Sequence, residues 1–313
     1  MAHPDTVVSR LGQINGAGDA QALFLKLFAG EVLTEFERTN IFKPLHFVRQ
    51  ISNGKSASFP LIGRAKSTTH TPGQYIEAAA IDHAETILTV DDLIVAPTFI
   101  ANVDEAMNHY DVRGPYSSEL GQELAYQYDT NVARIVTLAA RSASDLNGRA
   151  GGSRITDAAM ATDPAKLEAA LFTAAQTLHE KNVGLAGTQA VFRPAQYFLL
   201  AQRDRLINKE LGGTGGVAQG KVDTVAGFPI IMSNHVPSTN ITTGTTKYRG
   251  DFRTTVGLIF NKMAAGTVQL MDVGLESEYE IRRQGTFFVA KYLVGHGKLR
   301  PECAIELATG AVA

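Results

Sequence analysis

Residues 51–92 constrain this chain more than any other stretch. The two ends of that stretch, SASFPLIG at 56–63 and AETILTVDD at 84–92, alternate apolar and polar residues as strands do. Its middle, RAKSTTHTPGQYIE at 64–77, is rich in Thr, Ser, Pro and Gly. The pattern predicts a β-hairpin with strands of about ten to fifteen residues, which at about 3.4 Å per residue would reach roughly 35–50 Å. That is well past the ~13 Å radius of gyration of a 100-residue domain. The strands carry too few large apolar residues to build a core of their own, and a hairpin that outreaches its own domain needs a neighbour to lie on.

The rest of the chain supplies the cores. Residues 1–20 are rich in Gly, Ala, Asn and Asp without a period, the pattern of a mobile arm. Leu23, Phe24, Leu27, Phe28, Val32 and Phe36 then recur at three- and four-residue steps, predicting an amphipathic helix interrupted at Gly30. Tyr116, Leu120, Leu124, Tyr128, Val132, Ile135 and Ala139 form a stripe through about 28 residues, a helix of roughly 40 Å. Asp163 and Pro164 read as an N-cap and a first-turn proline, with Leu167, Leu171, Ala174 and Leu178 carrying a second helix to about residue 182. A short strand at 189–192 and a third helix from Pro194 follow, and the glycine cluster at 212–220 is a flexible loop. Beyond it, residues 227–238, 256–262, 266–273, 279–282, TFFVAKYLVG from Thr286 and ECAIEL from Glu302 read as strands. Helices followed by a β-rich C-terminus are read as an α+β protein.

Composition excludes several functions. Twenty-nine basic residues stand against 31 acidic ones, a formal charge of −2, so no overall basic field attracts nucleic acid or an anionic membrane. The N-terminus lacks the apolar core of a secretory signal. The longest nearly apolar run, 93–101, is broken by Pro97 and Thr98 and is far short of the roughly 20 residues that span a bilayer. A single cysteine, Cys303, excludes an internal disulfide and a cysteine-built zinc site, and its alternating apolar setting is that of a small buried thiol. Gly54-Lys55-Ser56 fails as a phosphate loop because Arg49 stands where the first glycine belongs. Gly213-Thr214-Gly215 fails as a dinucleotide fingerprint because no helix pattern follows it.

Three segments, ALFLKLFAGEVLTEFERTN at 22–40, GKSASFPLIGRA at 54–65 and DEAMNHYDVR at 104–113, closely resemble the front half of the major capsid proteins of short-tailed double-stranded DNA phages of the autographivirus group. GFPIIMSNHVP, AAGTVQLMD and YLVGHGKLRPECAIEL resemble the second half of the same family. The resemblance implies the Hong Kong 97-type capsid fold. Residues 1–50 would be the N-terminal arm and 51–92 the extended loop. A peripheral domain at 93–185 and 274–313 would have the long helix as its spine, and an axial domain would occupy 186–273. It further implies a coat protein that self-assembles into hexamers and pentamers of an icosahedral shell around double-stranded DNA, with no enzymatic role and no cofactor. The partners implied are a portal protein at one vertex, DNA held by weak non-specific contact, and no membrane. The implied location is the virion, assembled in the host bacterial cytoplasm. Some relatives carry a scaffolding segment before the arm; its absence here leads us to expect a separate scaffolding protein.

Candidate contact residues between subunits are Lys55, Arg64, Lys66 and Tyr75 in the loop, Arg113 at the start of the long helix, and Arg282, Arg283, Lys298 and Arg300 near the C-terminus. Some shells of this fold lock themselves with a Lys–Asn isopeptide bond. Residues 279–307 contain no Asn to accept one, so a covalent lattice is not expected. Two rival readings stand beside the coat protein. One is an encapsulin-like cellular shell of the same fold. The other is a metal-dependent hydrolase centred on His109, where Glu105 and His109 stand at helical i, i+4 spacing near Asp104 and Asp111. Set against the second is the plain alternative of a charge-assisted helix pair beside Arg113.

Overall fold

A computed structural model describes residues 40–65, 67–76, 78, 80–103, 113–144, 146, 148–203 and 222–311. The expected amphipathic helix at 22–40, but for its last residue, the glycine cluster, Lys66 and the Asp104/Glu105/His109/Asp111 group lie outside those residues. In chain order come β1 (Phe47–Gln50), β2 (Ser56–Ile62), β3 (His83–Thr89), β4 (Ile94–Ala101), α1 (Arg113–Ala140), β5 (Ser153–Thr156), α2 (Pro164–Glu180), β6 (Thr188–Phe192) and α3 (Pro194–Ala201). Then follow β7 (Thr224–Val225), β8 (Phe228–Met232), β9 (Asn240–Ile241), β10 (Gly250–Asp251), β11 (Thr255–Asn261), β12 (Ala265–Glu280), β13 (Gly285–Lys298) and β14 (Ala304–Ala308). The described residues form two units: those within Met1–Asn40, Asp91–Tyr128 and Leu270–Val294 make one, and those within Ile41–Val90, Asp129–Gln269 and Gly295–Ala313 the other.

The larger unit is organised by a six-stranded sheet in the order β5-β14-β11-β6-β8-β7. Strands β6, β14 and nearly all of β11 are buried along their whole length, the signature of a sheet covered on both faces. Helix α2 lies in its core through Leu167, Leu171 and Leu178, which meet Phe192, Phe228, Ile259 and Ile305. The predicted start of α2 is observed in detail: Asp163 accepts a hydrogen bond from the Ala165 amide at 2.8 Å, and Pro164 occupies the first turn. Strand β5, which lacks a sequence signal, pairs in parallel with β14. Both strands come from segments ascribed by resemblance to the spine-helix domain, yet they share the sheet of β11 and β6.

In the smaller unit the distal part of β12 pairs with β13, and β13 with β4, from Gly285 opposite Ala101 to Tyr292 opposite Ile94. β4 is the nearly apolar run at 93–101 that Pro97 interrupts. It forms an edge strand, where a missing amide costs no ladder bond on the open side. The two strands expected at 266–273 and 279–282 are one continuous strand that passes through Gly274 and ends before Ile281. Period alone could not join them, because a single glycine reads as a break.

Helix α1 matches the predicted length at 28 residues, and its stripe residues Leu124, Tyr128, Val132, Ile135 and Ala139 are buried. One difference matters. From Tyr128 to Ala133 every residue is buried, including Asp129, Thr130 and Asn131, which a one-face helix would turn to water.

Candidate functional site

The hairpin carries Lys55, Arg64 and Tyr75 of the expected contact residues. β2 and β3 pair antiparallel from Ser56 opposite Thr89 to Ile62 opposite His83. Each strand is seven residues long, shorter than the ten to fifteen expected, and pairing gives way to irregular chain at Gly63, whose amide bonds to the Asp82 carbonyl at 2.8 Å. Alternation divides the hairpin into two faces. Ala57, Phe59, Leu61 and Leu88 are buried, while Ser56, Ser58, Pro60, Ile62, His83, Glu85 and Ile87 are exposed. At the far end Tyr75 is 97% exposed and Ile76 81% exposed. Both are large apolar side chains held far into water.

The root of the hairpin is fixed by glycines in the VGHGK stretch of β13. A methyl group on Gly295 would lie 2.0 Å from the Thr89 carbonyl oxygen, and one on Gly297 would lie 2.3 Å from a Leu88 methyl carbon. Hydrogen atoms at both positions let β3 lie flush on the strand. Arg49 clamps the other strand, donating to the Ser58 carbonyl at 2.8 Å with its guanidinium over the Phe59 ring. Gly295→Ala is expected to lower subunit stability by about 2–3 kcal/mol, because the clash is with backbone that has no rotamer to yield. Urea unfolding of the purified subunit would measure it, and a loss below about 0.5 kcal/mol would show that the root is not clamped there.

The chain entering the larger unit after residue 40 is held by two buried polar groups. Asp129 accepts hydrogen bonds from the Ile41 amide at 2.7 Å and the Phe42 amide at 3.2 Å, and its carboxyl group meets His235 Nδ1 at 2.9 Å. His46 Nδ1 lies 2.6 Å from the Phe42 carbonyl, its Nε2 2.6 Å from the Thr267 hydroxyl, and that hydroxyl 2.7 Å from His296 Nδ1. A carbonyl only accepts, so His46 donates from Nδ1, and its Nε2 takes the Thr267 proton. The Thr267 oxygen then receives Nδ1–H of His296. Burial holds the His46 pKa down at about 4 against an ordinary 6.5, with the Phe42 carbonyl and Asp129 opposing, and it holds His296 well below 6.5.

A depressed histidine favours the native state above the unfolded value, and the advantage is lost as acid protonates the unfolded chain first. For His46 the interval from 6.5 to about 4 corresponds to roughly 3 kcal/mol. Subunit stability is therefore expected to fall as pH drops from 6.5 towards 4, and His46→Gln should flatten that slope in denaturant titrations. An unchanged slope in the variant would exclude His46 as its source.

The expected contact residues are not gathered in one place. Lys55 is exposed, and its carbonyl accepts from the Val90 amide at 2.8 Å at the mouth of the hairpin. Arg64 is exposed just past β2, with a long bond of 3.4 Å to the Lys181 carbonyl. Tyr75 is at the tip, and Arg113 begins α1. Arg282 and Arg283 are exposed in the turn between β12 and β13, Arg283 already paired with Glu280 of its own chain at 3.2 Å. Lys298 and Arg300 are half-buried in the larger unit. The Cys303 thiol is buried and its pKa is pushed up to about 11, which keeps it protonated and non-nucleophilic. Among the described residues no cluster of three metal-ligating side chains occurs, and no helix is long and apolar enough to cross a membrane.

Sequence reasoning missed a group built around Glu306, which is fully buried. Arg141 grips it twice at 2.7 Å, Arg154 approaches at 3.2 Å, and the Thr255 hydroxyl donates at 2.7 Å. Arg141 also donates to the Asp251 carbonyl at 2.7 Å. The end of α1 is thereby joined to β5, β11 and β14. Only the oddity of a glutamate inside AIELA hinted at this.

Comparison with known proteins agrees with this arrangement. Residues 58–308 match the Gp10A-like family, described as major capsid protein. The major capsid protein of Enterobacteria phage T3 is 34% identical over 94% of this chain and 93% of its own. That of Escherichia phage T7 is 33% identical over 92% of each. Among solved structures, the capsid of the Cyanophage P-SCSP1u superposes with a TM-score of 0.83 at 42% identity, covering 93% of this chain and 94% of that one. The mature capsid of bacteriophage PhiM1 gives 0.76 at 18% identity over 97% and 98%, a likeness of fold. The neighbours are capsids of the Hong Kong 97-type fold, and they favour neither a cellular shell nor a hydrolase.

Proposed function

This chain belongs to the Gp10A-like family of phage major capsid proteins, and from that we propose that it builds the icosahedral head of a short-tailed phage as hexamers and pentamers enclosing double-stranded DNA. As a capsid component it is a constituent of the virion. The observation that carries the finer reading is the hairpin: it buries one face within its own subunit and leaves the other, with Tyr75 and Ile76, exposed. Rings form when such unlike surfaces meet around an axis, and rings that also touch one another close a shell. Each contact can be modest, because several per subunit act together.

Four regions would divide this labour: an arm at 1–50, the extended loop at 51–92, a peripheral domain at 93–185 and 274–313 with α1 as its spine but without β5 and β14, and an axial domain at 186–273. We count β5 and β14 with the sheet they pair into. Lys55, Arg64, Lys66, Tyr75, Arg113, Arg282, Arg283, Lys298 and Arg300 would face neighbouring subunits. A separate scaffolding protein would time closure in the host cytoplasm, a portal would occupy one vertex, and with a formal charge of −2 the wall would hold DNA only weakly. The chain would perform no catalysis. Co-expression with the phage's scaffolding protein tests this. Electron microscopy should show closed round shells of uniform size, and a product that stays monomeric or forms open sheets would exclude the reading.

A further inference from the structure

Just past the end of β2, where its pairing with β3 stops, is a small polar pocket of about 150 Å³ within the larger unit. That is several times the ~30 Å³ share of one water and well below the ~300–1,000 Å³ of sites for organic ligands. It suits one inorganic-sized group. Three cations line it from three separate parts of the chain: Arg64 just past β2, Arg149 in the connection after α1, and Lys181 immediately after α2. Two carboxylates, Glu180 and Glu302, also line it.

The donors outnumber the acceptors that use them. The Lys181 ammonium has three N–H groups and places one on the Gly151 carbonyl at 2.6 Å. Arg149 gives one terminal nitrogen to Glu302 at 3.0 Å and the other to the Ile62 carbonyl at 3.1 Å, while its buried Nε has no hydrogen-bond partner among the described residues. Among the described residues Arg64 makes one long bond, of 3.4 Å. On the acidic side Glu302 is taken up by Arg149, and Glu180 accepts from Gln176 at 2.7 Å. Three cations against two acids leave the pocket positive. Burial lowers the Lys181 pKa, with Glu302 opposing the shift.

We propose that Arg64, Arg149 and Lys181 form an oxyanion site for a phosphate-class ligand, with the chain just past β2 and the end of α2 drawn together by the bound group. A tetrahedral oxyanion offers acceptors in several directions at once, which donors converging from three segments require and a planar carboxylate does not supply. The ligand is a free phosphate ion or a phosphate of a nucleic-acid backbone, two sources of one chemistry. The site does not depend on the shell assignment, because all its residues belong to one chain.

Thermal unfolding of the full-length subunit in about 50 mM sodium phosphate, against sodium chloride at equal ionic strength, is the test. The expected result is a midpoint raised by about 3 °C in the parent. That gain should be halved or lost in Arg64→Gln and in Lys181→Gln. Arg64 is exposed and makes one long bond, so its variant keeps the test open if Lys181→Gln folds poorly. No rise in the parent, or a rise undiminished in Arg64→Gln, would overturn the site, since excluded anions stabilise any protein equally. A short DNA duplex separates the sources. Stabilisation by DNA that phosphate competes away assigns the backbone phosphate, and stabilisation by phosphate alone assigns the free ion.

Discussion

Glu306→Ala is expected to remove about 3–5 kcal/mol of subunit stability, a large part of the ~5–15 kcal/mol that holds a domain together. The side chain is fully buried and accepts from Arg141 twice and from Thr255, with Arg154 beside it. The arginine side chains are 17% and 19% exposed, so removing the glutamate leaves two positive groups largely out of water with no anion to face. The loss also parts the end of α1 from the central sheet. Little soluble subunit should accumulate, and what does should unfold at much lower urea. Lys166→Ala is the control: its pair with Asp157 at 3.5 Å is largely exposed and should be worth at most about 1 kcal/mol. Equal effects from the two variants would show that the buried carboxylate is not the joint described.

Replacing residues 65–81 by a short Gly-Ser turn is expected to abolish shell formation while leaving a folded, soluble subunit. The cut keeps every β2–β3 pair and the buried face of Ala57, Phe59, Leu61 and Leu88. It removes Tyr75 and Ile76, which are almost wholly exposed and so contribute little to the subunit's own core. Because lattice contacts multiply, losing one kind of contact from every subunit should act on assembly far more than on folding. Circular dichroism and urea unfolding should match the parent, while light scattering with scaffolding protein should show no particles. Shells of normal size would remove the hairpin tip from the contact surface.

Much of this protein was legible in its residues because the signals were local and strong. The stripe from Leu120 to Ala139 predicted α1 at its observed length, and Asp163-Pro164 set the start of α2. Alternation in 56–63 and 84–92 predicted the hairpin. The family resemblance, shared by segments along most of the chain, pointed to the coat-protein fold. Those features depend on periods and caps that neighbouring residues set by themselves.

Tertiary structure alone decided what depended on distant partners. Asp129, Thr130 and Asn131 look like a wet helix face, yet they are buried, with Asp129 satisfied by the amides of Ile41 and Phe42 and by His235. The glycines at 295 and 297 read as weak points in a strand until β3 is laid across them. Parallel pairing of β5 with β14 joins residues about 150 apart in sequence, which no local period can announce. Glu306 becomes intelligible only when Arg141, Arg154 and Thr255 arrive from three other elements. Sequence settles backbone preference and which faces must be covered. The identity of the group that satisfies a buried charge or fills the space above a glycine is a property of chain returning from far away.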